Sequence, residues 1–195
     1  MLAAWHGHAR LEPHVHQFIH QLIAPIDDAI VIRITRDGRI GEVCMVLRRP
    51  DGNIWCAAKE YYPGHLARLL TGGIHKGEAV IDALHREIAE ETGLVATSVH
   101  PLLHVRYHGV RSFQTYVFVC DVADTLPVSH DPAERIHHFE ALSPRMLRTR
   151  AVQLTHLPER HSDDIGGTWQ AWGSFRAICH HQVGVLLDGT TTSRT

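Results

Sequence analysis

Glu87, Glu90 and Glu91 stand at positions i, i+3 and i+4 of a segment with helical composition, Glu78 to Thr92. On a helix that spacing turns the three carboxylates to one face. Ile81, Leu84 and Ile88 form an apolar stripe on another side, suited to packing on a sheet, and Ala83 leaves room one turn before Glu87. The Glu87–Glu91 repulsion costs an exposed helix only about 0.2–0.5 kcal/mol, so an acidic face alone is compatible with plain solvation. The stretch before it shifts the balance. Thr71-Gly72-Gly73 and Gly77 permit a tight path on which backbone carbonyls approach a cation beside the carboxylates. A donor set made only of oxygen suits hard Mg²⁺ or Mn²⁺ and not thiophilic metals.

The full segment GGIHKGEAVIDALHREIAEETGL resembles the signature of the Nudix hydrolase family, G-x5-E-x7-R-E-U-x-E-E-x-G-U with U aliphatic. Gly72, Glu78, Arg86-Glu87-Ile88, Glu90-Glu91, Gly93 and Leu94 meet every fixed position. Members often begin the motif on the second glycine of a Gly-Gly pair, whereas Gly72 is the first, so either Gly72 or Gly73 offers the carbonyl that faces a metal. The resemblance implies an α/β fold, a Nudix-type α/β/α sandwich with a mixed β-sheet, here with additional N- and C-terminal helices. It also implies a divalent-metal-dependent hydrolase that cleaves the pyrophosphate linkage of a nucleoside diphosphate joined to another moiety.

By that resemblance Glu87, Glu90, Glu91 and the Gly72 carbonyl hold Mg²⁺, with Mn²⁺ as a substitute, and Glu87 or Glu91 takes the water proton. Arg86 orients the carboxylates, and Glu78 stands at the helix start and braces the loop through Arg86. Glu134 is a candidate remote ligand or base, against the alternative of a solvated loop glutamate; Glu140, at what looks like a helix start, ranks below it. Arg48, Arg49, Lys59 and Arg68 are candidates to meet phosphates. Trp55, Tyr61, Tyr62 and Tyr107 are candidates to stack on a base, and each has a core or surface role as its alternative. Two other functions share the fold: an isoprenoid-diphosphate isomerase, for which Cys56 is the nearest catalytic thiol, and a regulatory module that binds a nucleotide without turnover.

Composition narrows the field. The chain has 195 residues and a formal charge of −2, which argues against binding a long nucleic acid. The 18 histidines show no zinc-like spacing, even at His137-His138 and His180-His181, and make charge sensitive to pH near neutrality. Cys44, Cys56, Cys120 and Cys179 are scattered without a Cys-x-x-Cys pair and read as buried free thiols. The start MLAAWHGHAR lacks an apolar signal core and no run reaches membrane-spanning length, so a cytoplasmic protein is expected. The expected partners are a small nucleoside diphosphate derivative and, by family resemblance, a second copy in a homodimer.

Around the motif, periodicity predicts a helix over 11–24, a strand over Ala29–Ile34, a turn at Asp37-Gly38, and strands over Glu42–Arg48 and Ile54–Ala57 joined by a turn at 50–53. Strands are expected over Val99–Tyr107 and Phe113–Cys120, and a short element ending near Phe139. A helix should run from Ser143-Pro144 to about Leu154, then a loop over 156–167. A last helix from about Thr168 carries Trp172, Phe175, Cys179, Gln182 and Leu186 as its stripe, with Trp169, Trp172 and Phe175 packing it down. The expected organisation is an N-terminal helical extension over 1–24, a hydrolase domain over 25–160, and over 161–195 a packed helix with a flexible tail.

Overall fold

The computed structural model describes residues 18–189. The central strand is β2 (Gly41–Arg48), whose alternation sends Val43, Met45 and Leu47 to one apolar cluster and Cys44 and Val46 to the other. Around it a seven-stranded mixed sheet runs β1-β5-β6-β2-β4-β3-β7. Its other strands are β1 (His20–Pro25), β3 (Ile54–Lys59), β4 (Arg68–Gly73), β5 (Ala96–His108), β6 (Phe113–Val122) and β7 (Ile136–Leu142). β2 pairs with β6 in parallel and with β4 antiparallel. Helix α2 (Val80–Thr92) contributes to the cluster on one face. Helices α1 (Asp28–Ile34), α3 (Pro144–Thr155) and α4 (Trp169–Asp188) contribute to the cluster on the other. The chain is thus an α/β/α sandwich on a mixed sheet.

Three expectations change. Ala29–Ile34 is helical: Asp27 caps it, accepting from the Ala29 and Ile30 amides at 2.9 and 3.3 Å, with Asp28 and Arg33 complementing the helix dipole. A cap is worth about 1 kcal/mol and here prevails over the β preference of Ile30, Val31, Ile32 and Ile34. The helix expected over 11–24 falls partly outside the described residues, and its last part is strand β1. There Leu22 and Ala24 turn inward while Ile23 is exposed, a period of two, and the strand pairs in parallel with β5. The tight path expected of Thr71-Gly72-Gly73 is the extended end of β4, with Gly72 opposite Val43 of β2.

The remaining elements follow their local chemistry. Gly93 ends α2 in the left-handed conformation, φ 63°, its amide donating to the Ala89 carbonyl. Ser143 caps α3 with Pro144 in its first turn, and Thr168 caps α4. The segment 156–167, expected as loop, holds one strand of a two-residue pair, β8 (His161–Ser162) with β9 (Gly167–Thr168). α4 buries Trp169, Trp172, Phe175, Cys179, His180, Val183 and Leu187, so its stripe turns away from Gln182 and Leu186. It crosses α3 closely at Gly173, where a Cβ would stand 2.1 Å from the Leu154 carbonyl oxygen. The tail beyond Gly189 lies outside the described residues. Among the described residues no helix is long and apolar enough to cross a membrane. All four cysteines are buried and free.

α4 is also pinned to β4 by a buried imidazole. The Leu69 amide donates to His180 Nε2 at 2.9 Å, so Nδ1 carries the proton and donates to the Arg176 carbonyl, also at 2.9 Å. Burial holds His180 down at about 3. A depressed folded pKa means stability that is present above the unfolded value near 6.5 and is lost as pH falls towards 3. Urea unfolding of the protein should therefore lose up to about 1.4 kcal/mol per pH unit more than His180→Gln below pH 6. Parallel curves would assign the acid sensitivity elsewhere.

Candidate active site

The buried arc of α2 is Ala83, Leu84, Glu87, Ile88, Glu91 and Thr92, which places two carboxylates among the apolar contacts. Ile81 is instead 37% exposed and leaves the stripe. The acidic face is therefore split. Glu87 and Glu91 turn inward and line a cavity of about 360 Å³, while the Glu90 side chain is 49% exposed. Among the described residues no three carboxylate, imidazole or thiol groups are placed to surround an ion.

Arg86 organises this region with all five of its N–H donors. Nε and Nη2 donate to the two oxygens of Glu78 at 2.8 and 2.9 Å. Nη1 is shared between Glu87 at 2.9 Å and Glu90 at 3.0 Å, and Nη2 also donates to the Gly73 carbonyl at 2.9 Å. The fork suits this geometry, which an ammonium cannot reproduce. Glu78 lies before the helix, not in its first turn; it accepts from the His75 amide at 2.8 Å, and Arg86 holds its carboxyl down at about 2.

Gly72 meets a steric demand. A Cβ there would stand 2.0 Å from Cδ of Glu87, so the glutamate lies directly on the glycine. The Gly73 carbonyl is taken by Arg86. We expect Gly72→Ala to displace Glu87 and lower kcat/KM by about 100-fold, the scale of a misplaced reacting group. A variant with unchanged kinetics would show that this contact is dispensable.

Glu91 is 4% exposed and has no ion-pair partner within 4 Å among the described residues; burial pushes its carboxyl up to about 8. Burial likewise raises Glu87. Glu134, in the turn Pro132–Glu134, is brought to the same cavity wall as Glu91 and pairs with Lys59 of β3. Burial opposes ionisation of Glu134, yet the charge and hydrogen bond of Lys59 outweigh it and hold the group low.

The other candidates separate. Lys59, Tyr61, Tyr62 and Arg68 line the cavity. Arg48 and Arg49 do not; they pair with Asp121 and Asp124, each at 2.6 Å, and Arg49 lies over Trp55. Tyr107 is a core residue against Cys179 and Phe175. Glu140 sits in β7, not at a helix start, and pairs with Arg150 at 3.0 Å. Cys56 is fully buried and does not line the cavity, and burial pushes its thiol up to about 12. Sequence reasoning missed Arg33, Arg39, Glu42 and Arg176, and saw Trp172 only as packing; all five line the cavity. Glu42 and Arg176 form a buried pair at 2.6 Å. One signal was present: each is a charge inside an apolar element, GEVCMVLR and WQAWGSFRAICHHQVGVLLD.

With this arrangement in view, the comparisons with known proteins fall into place. The NUDIX domain profile matches residues 27–159. The chain belongs to the NUDIX family. The matched region of this NUDIX protein carries α1 to α3 and every signature residue, while α4 lies beyond it. Its fold is similar to a MutT NUDIX hydrolase of Burkholderia pseudomallei, with 19% identity, TM-score 0.48, and 74% of this chain and 97% of that one covered. It is similar also to MutT from a study of Aliivibrio salmonicida and Vibrio cholerae, with 19% identity, TM-score 0.46, and 57% and 85% covered. A third is the NUDIX domain of Shewanella oneidensis NrtR, complexed with ADP ribose, with 16% identity, TM-score 0.45, and 54% and 73% covered. No match was found among curated protein sequences.

Proposed function

We propose that this NUDIX protein is a Mg²⁺-dependent pyrophosphohydrolase, able to use Mn²⁺, acting on a nucleoside diphosphate joined to another moiety. One observation carries the reading: Glu91 is a buried carboxylate without an ion-pair partner, beside Glu87 and Glu134 on one cavity wall. Burying an unpaired carboxylate is costly, and a bound cation offsets that cost. The donor chemistry suits such an ion, since all are oxygens and Gly72 leaves the Glu87 carboxylate room against the strand; to gather around it, Glu87 and Glu90 would leave Arg86.

Glu87, Glu90, Glu91 and the Gly72 carbonyl would hold the metal. Bound there, Mg²⁺ supplies neutralisation of the phosphoryl oxygens and acidification of a coordinated water. Arg86 keeps Glu87 and Glu90 oriented until they turn to the metal. Glu87 or Glu91 accepts the water proton, and Glu134, which lines the same cavity, is the remote ligand or base. The reading takes residues 25–160 as the catalytic unit, 1–24 as an extension and 161–195 as the part that adds α4. Its expected setting is a cytoplasmic homodimer. Ile19 and Ile23, 76% and 62% exposed, offer apolar surface for the dimer, and size-exclusion chromatography checks it.

A panel of nucleoside triphosphates, nucleotide sugars, dinucleotides and alcohol diphosphates, assayed with Mg²⁺, tests the activity. Release of nucleoside monophosphate, pyrophosphate or phosphate that EDTA abolishes is the expected result. Tight binding without turnover across the panel would favour the regulatory module instead.

A further inference from the structure

Six carboxylates and five basic side chains line the cavity, yet only two of those bases are paired with one of those carboxylates. The bases are Arg33, Arg39, Lys59, Arg68 and Arg176. Lys59 pairs with Glu134 and Arg176 with Glu42; Arg33, Arg39 and Arg68 have no carboxylate within 4 Å among the described residues.

Arg68 is the most telling. It is 6% exposed, at the start of β4; only neutral groups hydrogen-bond it, while the charges of Glu91 and Glu42 act on it from beyond contact. Nε donates to the Tyr62 hydroxyl at 2.8 Å, and Nη1 to the Leu69 carbonyl at 2.6 Å and the Thr71 hydroxyl at 3.0 Å. Its guanidinium lies 5.6 Å from the Tyr62 ring centre and 5.9 Å from that of Trp172 on α4. Nη2 has no acceptor among the described residues. The guanidinium is thus fixed in orientation and keeps the two Nη2 donors open to the cavity, where an anion can accept them. The planar fork suits phosphate.

The other two arginines extend the same charge outward. The Arg39 guanidinium lies over Gly73, where a Cβ would stand 2.6 Å from its Cζ, next to the loop that Arg86 braces. Arg33 packs its stem over Gly166. A cleaved diphosphate linkage brings two phosphoryl groups, and metal on the carboxylate wall answers those. Arg33, Arg39 and Arg68, without a carboxylate within 4 Å among the described residues, are the cations placed to meet a further phosphoryl group.

We propose that Arg68, with Arg39 and Arg33, forms an anion subsite that makes the protein specific for substrates carrying at least one phosphoryl group beyond the two that flank the cleaved bond. The inference rests on the pyrophosphohydrolase reading for where the substrate lies, and α4 takes part through Trp172.

Titration calorimetry on the full chain with Mg²⁺ tests it, using imidodiphosphate and imidotriphosphate, whose bridging nitrogens resist hydrolysis. The protein should bind the triphosphate analogue about tenfold or more tightly than the diphosphate, the scale of one added charge-assisted contact. Arg68→Met should reduce that ratio to below about threefold. Arg39→Ala, at an exposed position, should also lower it and serves where Arg68→Met fails to fold. A ratio near one in the parent protein, or an unchanged ratio in the folded variants, overturns the proposal. Because these are binding ratios, they hold or fail whether or not the substrate panel shows turnover. Equal kcat/KM for a triphosphate and for a diphosphate joined to a neutral sugar would overturn the subsite and leave the hydrolase intact.

Discussion

Arg86→Met should lower kcat/KM by about 100- to 1,000-fold and destabilise the protein by about 2 kcal/mol. The kinetic figure follows from five lost hydrogen bonds that together fix Glu78, Glu87, Glu90 and the Gly73 carbonyl; misplacing catalytic groups by about 1 Å costs on the order of 100-fold. The stability figure is set below the roughly 3–5 kcal/mol of a fully buried broken pair, because the arginine side chain is 25% exposed and solvent screens it. Arg86→Lys should recover little activity, since a point charge cannot bridge five acceptors. Steady-state kinetics and urea unfolding on the same preparations check both figures. Kinetics matching the parent protein would remove Arg86 from the site.

Glu91→Gln should abolish Mg²⁺-dependent turnover, by about 1,000-fold or more, without loss of fold. Glutamine keeps the shape but neither binds a hard cation strongly nor accepts the water proton. The metal-free protein gives a second readout. Glu91 titrates near 8 when folded and near 4.5 when unfolded, so its favourable contribution is complete below 4.5 and is lost as pH rises to 8. Thermal unfolding in EDTA should therefore show the parent protein losing stability between pH 5 and 8 relative to Glu91→Gln, by up to about 1.4 kcal/mol per unit. Added Mg²⁺ should reverse the difference, because the ionised carboxylate is the form that binds. Identical pH profiles would show that Glu91 is not the buried acid described.

The signature was readable because its chemistry is local. Helical spacing, the Gly93 cap and the glycines before Glu78 all act within one stretch of chain. The inward turn of Glu87 and Glu91 was not readable, since it depends on how α2 rotates on the sheet, and Ile81 suggested a different rotation. β2, β3, β5 and β6 announced themselves through apolar alternation and turn residues. Ala29–Ile34 did not, because a single capping aspartate outweighed four β-branched residues. Glu134 reaches Glu91 across long sequence separation, and only the β3–β7 pairing, which places its turn beside Lys59, brings it there. Arg33 and Arg39 resemble ordinary surface charges in sequence; the cavity they share with Arg176 exists only once α1 and α4 close over the ends of β2 and β4.

Divalent metal at the Glu87–Glu91 wall is the central claim, and Mn²⁺ binding followed by electron paramagnetic resonance measures it directly. Titration of the parent protein should remove free Mn²⁺ signal saturably, with Mg²⁺ competing, and Glu91→Gln should weaken that binding about tenfold or more. Equal Mn²⁺ affinity in the two proteins would contradict the account.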